Sequence, residues 1–125
     1  MRQSVCRRFK GIFEMNKTKE RAMEVIDRHI ENIKAHSDII KSILLVGSLS
    51  DDSYIGNAGS DIDLIHILSD DTSENARFTV YQTITKTENE TDCDIPISKC
   101  IYRYSDLFHP HHVECVVLME NPGNR

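Results

Sequence analysis

Apolar positions along the chain fall into a few runs whose spacing differs. From Lys17 to about Ala35, Met23, Ile26, Ile30 and Ile33 recur at intervals of three and four, with Lys, Arg and Glu around them. That period places them on one face of an amphipathic helix. Ile43 to Val46 is a short continuous apolar run closed by Gly47, the pattern of a buried strand. Ile62 to Leu68 is apolar at both alternations and rich in isoleucine, which predicts a central strand covered on both sides. The segment "SDDTSENARF" then supplies helix-start residues. The "FTVYQTIT" after it is β-branched and aromatic and would suit a strand on propensity alone. Connectivity decides, because a parallel neighbour to the strand at 62–68 needs a long crossover, usually helical. A helix is therefore predicted from about Thr72 to Lys86. "TENETD" reads as a polar loop and "CDIPIS" as a short strand that Pro96 confines to a sheet edge or an early end. "VECVVLM" is the last strand candidate. The fold class expected is α/β of an α+β-like kind, a mixed β-sheet packed against helices.

Composition narrows the class. The chain has 125 residues, enough for one modest core, and 39% hydrophobic with 28% charged residues is ordinary for a globular chain. The first fourteen residues carry four basic groups and no acid before Glu14. They read as a disordered or loosely docked tail, with 15–125 as a single domain and the "NPGNR" end compatible with truncation. Twenty acids against 15 Lys and Arg give a net charge of −5, which disfavours non-specific nucleic-acid binding. No run is as long as a membrane-spanning helix. Cys6, Cys93, Cys100 and Cys115 form no CxxC pair, so reduced thiols and a cytoplasmic location are expected.

Asp61 and Asp63 change the picture, because they open an otherwise apolar strand at alternate positions. Side chains alternate along a strand, so both carboxylates project from one face. At a separation of about 4 Å and an effective dielectric near 20 they repel by roughly 4 kcal/mol. A divalent cation relieves that repulsion, and Mg²⁺ commonly takes one or two protein carboxylates with phosphate and water completing its shell. Gly47 and Ser48 end the preceding strand in a turn where backbone N–H groups and a hydroxyl can face a phosphate.

These residues carry a resemblance. "VGSLSDDSYIGNAGSDIDL", Val46 to Leu64, resembles the signature of the polymerase-beta-like nucleotidyltransferase superfamily, a Gly-Ser turn followed by "SDxDL". In size the chain is similar to the minimal stand-alone members. The resemblance implies a nucleotidyltransferase-type core with three strand-borne carboxylates, the first two at Asp61 and Asp63. "CDI" matches the setting of the third, making Asp94 the choice and Asp92 the reserve. It implies nucleotide contacts at Gly47, Ser48 and Ser60, and Mg²⁺ (or Mn²⁺) bound by Asp61, Asp63 and Asp94. The reaction it implies moves a nucleoside monophosphate from an NTP, ATP foremost, to a hydroxyl of a protein or small molecule. Minimal members often pair with a small helical partner protein as a toxin–antitoxin module, and larger ones carry an acceptor domain. Where many members have Ala-Arg-Gly after the Gly-Ser, this loop reads "LSDDSYIGNAG", with no basic residue and with Asp51 and Asp52 added. Phosphate affinity would then rest on backbone and metal, so a nucleotide-sensing or partner-binding domain without turnover is the alternative.

Other candidates have plainer readings. His109, His111 and His112 match no familiar ligand spacing and read as an exposed loop. His66 reads as a satisfied core histidine, Cys93 and Cys115 as small core residues, and Tyr102 and Tyr104 as packing.

Overall fold

The structure, a computed structural model, describes residues 18–51, 53–56, 60–106 and 115–121. The basic segment 1–14, Cys6, Asp52, the histidines at 109, 111 and 112 and the "NPGNR" segment beyond Asn121 lie outside the described residues. In chain order the elements are α1 (Lys19–Ile33), β1 (Ile40–Val46), β2 (Asp63–Leu68), α2 (Asn75–Glu90), β3 (Cys100–Arg103) and β4 (Val116–Glu120). The sheet runs β3-β2-β1-β4. β1 is antiparallel to both β2 and β4, whereas β3 is parallel to β2. Two helices packed on this four-stranded mixed sheet form an α+β arrangement.

α1 starts at the Thr18 cap, whose Oγ1 accepts from the Arg21 N–H at 3.0 Å. Its buried stripe is Ala22, Val25, Ile26, His29 and Ile33, rotated from the one the apolar spacing selects, so that Met23 is exposed. The rotation follows from His29, a polar residue in the sequence pattern that proves fully buried. α2 provides the expected crossover, starting at Asn75 and running on to Glu90. Its β-branched residues fit a helix because the threonine hydroxyls bond back one turn. Thr83 and Thr91 donate to the carbonyls of Thr79 and Thr87 at 2.8 and 2.9 Å.

β2 is central, as expected, but its two faces differ. Ile62, Leu64, His66 and Leu68 form a row buried beneath the helices. In the other row Ile67 is buried while Asp63 and Ile65 are only half-covered, which corrects the expectation of cover on both sides. The "CDIPIS" strand contracts to one parallel bridge, Ile62 to Ile97, and the regular ladder begins only at Cys100. Pro96 lacks an N–H and only accepts there, from the Ile62 amide at 2.9 Å. Ser98 fills the gap: its hydroxyl accepts from the Leu64 N–H at 2.9 Å and donates to the Leu64 carbonyl at 3.0 Å. Cys100 and Cys115 are exposed free thiols, so Cys115 is no core residue, and Cys93 is disulfide-bonded, which corrects the expectation of reduced thiols at that position. Among the described residues no helix is long and apolar enough to cross a membrane.

His66 is a satisfied core histidine, and its partner is His29. Their Nε2 atoms lie 2.8 Å apart, with ring centroids 5.1 Å apart and planes nearly perpendicular at 87°. The Cys100 carbonyl can only accept, so His66 Nδ1 carries a proton and donates across 3.4 Å. His66 Nε2 therefore accepts from His29 Nε2–H. His29 Nδ1 in turn accepts from the Thr87 hydroxyl at 2.9 Å, and that hydroxyl accepts from Asn32 Nδ2 at 2.9 Å. This one-way chain ties α1, α2 and β2 together with neutral groups. Burial, and then the His66 ring, lowers His29 to about 3. Burial also lowers His66 to about 4, against the raising effect of the Cys100 carbonyl.

The sign of the pH dependence follows. Unfolded histidine titrates near 6.5, so below that pH the unfolded chain binds more protons than the folded one. Stability should be full above about pH 6.5 and fall as the pH drops toward about 4 and then about 3. The expected slope approaches about 1.4 kcal/mol per pH unit for each ring. Urea unfolding between pH 7 and 5 measures it, and a His29→Leu/His66→Leu double variant should flatten it. His66→Leu alone should lose about 1–3 kcal/mol, because His29 keeps a buried donor with no acceptor.

Candidate functional site

β1 and β2 pair so that Val46 lies opposite Asp63, and the chain leaves β1 through a 3-10 turn at Gly47–Leu49. Gly47 has φ 77°, a conformation that side chains rarely adopt. A Cβ there would lie 3.1 Å from Asp63 Cγ and closer still to Oδ2. Glycine at 47 therefore satisfies two demands, the turn geometry and room for the Asp63 carboxylate against the backbone. The Gly-Ser turn and the second acid, sixteen positions apart in sequence, are in contact.

Asp61 and Asp63 come together as the alternation predicts, close enough to interact by charge and by a carboxyl–carboxyl hydrogen bond. Asp63 is raised above the ordinary carboxylate range, first by burial, then by the Asp61 charge, then by that hydrogen bond. Both side chains are half-exposed on the face of β2 turned away from the helices. Leu44, paired with Ile65, continues this face as half-covered apolar surface, and Val117, paired with Leu44, is 54% exposed.

Asp94 is elsewhere. Ile65 pairs with Cys100 and Ile62 with Ile97, a constant offset that sets Pro96 level with Asp61 and Ser98 level with Asp63. Asp94 lies four residues before the level of Asp63, in the turn that follows α2. Its Oδ2 instead accepts from Arg21 Nε at 2.7 Å, and only 13% of its side chain is exposed. Arg21 also donates to Glu24 Oε1 at 2.8 Å and to the Thr91 carbonyl at 3.2 Å. Burial alone would lower the Arg21 guanidinium, but the bonds to Glu24 and Asp94 outweigh it and raise it. Asp92, the reserve, is an exposed turn residue with φ 58°. Among the described residues no group of three or more His, Cys, Asp or Glu could hold a metal ion.

The loop after Gly47 organises itself through its own acid. Asp51 Oδ1 accepts from the Ser53 N–H and hydroxyl at 3.0 and 2.6 Å, which lowers its carboxyl below the usual range. The Gly47 carbonyl accepts from Ser50 N–H and Oγ, and the Ser48 carbonyl from Ser53 N–H. Tyr54 packs against the core, and its hydroxyl is buried without a well-formed hydrogen bond. Its titration is raised by burial, lowered by Ser60 and raised by the Asp61 charge. Sequence reasoning missed both Tyr54 and Arg21. An aromatic residue in the middle of a polar, acidic loop was a signal for Tyr54; Arg21 offered none, because α1 carries many charges.

The donor set suits one hard cation. Two carboxylates lie close together, the Asp61 charge disfavours ionisation of Asp63, and the backbone beneath them carries no side chain to block access. A third carboxylate for a second cation is not gathered by the described residues. Two outcomes follow for the ligand-free protein. A raised carboxyl favours folding below its titration and opposes it above, so Asp63→Asn should raise the Tm at neutral pH by on the order of 2 °C. Gly47→Ala should lower stability by about 1–3 kcal/mol through strain and the collision with Asp63, and Gly47→Ala/Asp63→Gly should recover part of that loss. Thermal and urea unfolding of the three variants provide the check.

No protein-family model matches the chain, and no curated protein does either. Among solved structures it is similar to the 1.40 Å crystal structure of a Sulfolobus solfataricus protein provisionally assigned as a nucleotidyltransferase. The TM-score is 0.53 at 11% identity, over 89% of this chain and 91% of that one. The likeness is one of fold: this chain has the fold of a minimal nucleotidyltransferase domain.

Proposed function

We propose that the chain is a metal-dependent nucleotidyltransferase that moves a nucleoside monophosphate from an NTP to a hydroxyl acceptor. The observation that carries this is the Asp61–Asp63 pair set against the bare backbone of Gly47, in a nucleotidyltransferase-type fold. Asp61 and Asp63 would hold Mg²⁺ or Mn²⁺, and ATP is the first candidate nucleotide. The cation would supply charge neutralisation for the triphosphate. Gly47 and Ser48 at the turn and Ser60 before the acids would meet phosphate oxygens. In the transfer, the acceptor oxygen bonds to the α-phosphorus, the bond to the β-phosphate oxygen breaks, pyrophosphate leaves, and the hydroxyl proton passes to a base. The half-covered apolar face beside the acids supports a protein acceptor, and a small helical partner in a toxin–antitoxin-type pair is one such acceptor.

One observation favours a second reading. Arg21 already neutralises Asp94, so the third carboxylate is not free to serve as a ligand or base. On that reading the chain binds a metal-bound nucleotide and signals to a partner without turnover.

Calorimetric titration of ATP or GTP with Mg²⁺ tests the shared premise. Binding should require Mg²⁺ and be lost in Asp61→Asn/Asp63→Asn; a folded wild-type protein that binds neither nucleotide sinks both readings. Asp94→Asn should retain Mg²⁺-dependent binding, whereas loss of binding there would make Asp94 a ligand. Pyrophosphate release with candidate hydroxyl acceptors then separates transfer from sensing.

A further inference from the structure

Tyr102, which reads as packing in the sequence, is 43% exposed, and the register of the sheet fixes the side on which it stands. β3 runs parallel to β2, with Cys100 level with Ile65, Ile101 with His66 and Tyr102 with Ile67. Ile101 and His66 are buried in the helix-covered row, so Cys100 and Tyr102 project with Asp63 and Ile65 from the open face. β2 is regular from Asp63 to Leu68, and Tyr102 lies four residues along it from Asp63, about 13 Å of strand. Between the acids and the phenol lie Ile65, apolar and half-covered, and Cys100, small and exposed. The other exposed aromatic side chains among the described residues are placed differently. Phe78 and Tyr81 belong to α2, on the far side of the sheet, and the Tyr104 ring already has the Lys41 ammonium 4.8 Å from its centroid.

We propose that Tyr102 is the base-stacking residue of the nucleotide site, so that a purine nucleoside triphosphate lies along β2 with its phosphates at Asp61 and Asp63 and its ring against the phenol. The proposal rests on the metal–nucleotide reading above and deepens it, giving the ligand a direction and its base a contact. The sheet itself selects that direction. Toward Tyr102 the open face continues past Ile65 and Cys100 over a length that a triphosphate and ribose can bridge. In the opposite direction β2 ends, and only the Ile62–Ile97 bridge and loop precede it. An aromatic ring on an apolar floor is what a base stacks on, and the larger ring system of a purine gains more from it than a pyrimidine does. ATP and GTP should therefore bind more tightly than CTP and UTP.

The test uses the full chain with Tyr102→Ala and Tyr102→Phe, and both should keep the wild-type Tm because the side chain is exposed. Calorimetry in Mg²⁺ compares ATP with inorganic tripolyphosphate, which has the phosphates and no base. Tyr102→Ala should bind ATP about five- to a hundredfold more weakly than the wild type and bind tripolyphosphate equally well. Tyr102→Phe should keep the wild-type affinity for both, since the ring and not the hydroxyl is used. In protein carrying ¹³C in its tyrosine rings, the resonance absent from Tyr102→Phe should shift when Mg²⁺ and ATP are added to the wild type and stay still with Mg²⁺ and tripolyphosphate. Equal ATP affinity in Tyr102→Ala, or a matching loss of tripolyphosphate affinity, overturns the stacking role and leaves the nucleotide site standing. A folded wild type that binds neither ATP nor tripolyphosphate in Mg²⁺ overturns the site and this role together.

Discussion

The alternation of side chains along β2 is the constraint on which the rest of the molecule depends. One row of that strand, Ile62, Leu64, His66 and Leu68, is closed off beneath the two helices, and the other presents Asp63 and Ile65 on the half-open face with Asp61 just before it. A slip of one residue would exchange the rows, driving two carboxylates into the core and an apolar row into water. Three pairings prevent the slip. β1 fixes the strand from one side, the Ile62–Ile97 bridge and β3 fix it from the other, and His66 finds its acceptor in the core only in this register. Core and candidate site are therefore set by one choice of pairing.

The histidine pair shows how polar burial sharpens that choice. An apolar pair in the same place would pack without regard to the orientation of α1. The chain from Asn32 through Thr87 and His29 to His66 closes only when each donor meets an acceptor. α1 is thereby rotated so that His29, and not Met23, faces the sheet. That rotation also sets Arg21 over the turn after α2, where it meets Asp94 and the Thr91 carbonyl. An interaction deep in the core thus decides which charge stands next to Asp94.

Those same facts mark what the sequence alone made legible. The first helix, the strand run at 43–46 and the crossover helix were readable because period and connectivity are properties of the chain itself, although the strand proves to begin three residues earlier, at Ile40. The Asp61–Asp63 pair and its nearness to the Gly-Ser turn were readable for a similar reason, since alternation places side chains without knowledge of the tertiary structure. The buried face of α1 was misjudged because His29 becomes a core residue only through His66, 37 positions away. Arg21 gained its contact with Asp94 in the same long-range way, across 73 positions. Asp94 matched a local pattern, hydrophobic–acid–hydrophobic, but a pattern does not encode register, and here register sets Pro96 and Ser98 opposite the acids.

Register also decides what stands beside the acids. With Ser98 level with Asp63 and its hydroxyl already bonded on both sides to the Leu64 backbone, the edge of the sheet beside the acids offers neither charge nor a free donor. To bring Asp94 level would require extending the bridge region backward past Pro96 and breaking the bond from Arg21 to a carboxylate that is mostly buried. A guanidinium bonded in this way holds its partner in place at least as well as it neutralises it. The two functions proposed for the fold therefore differ at one contact. While Arg21 holds Asp94, a nucleotide bound at the acid pair would lack the third carboxylate.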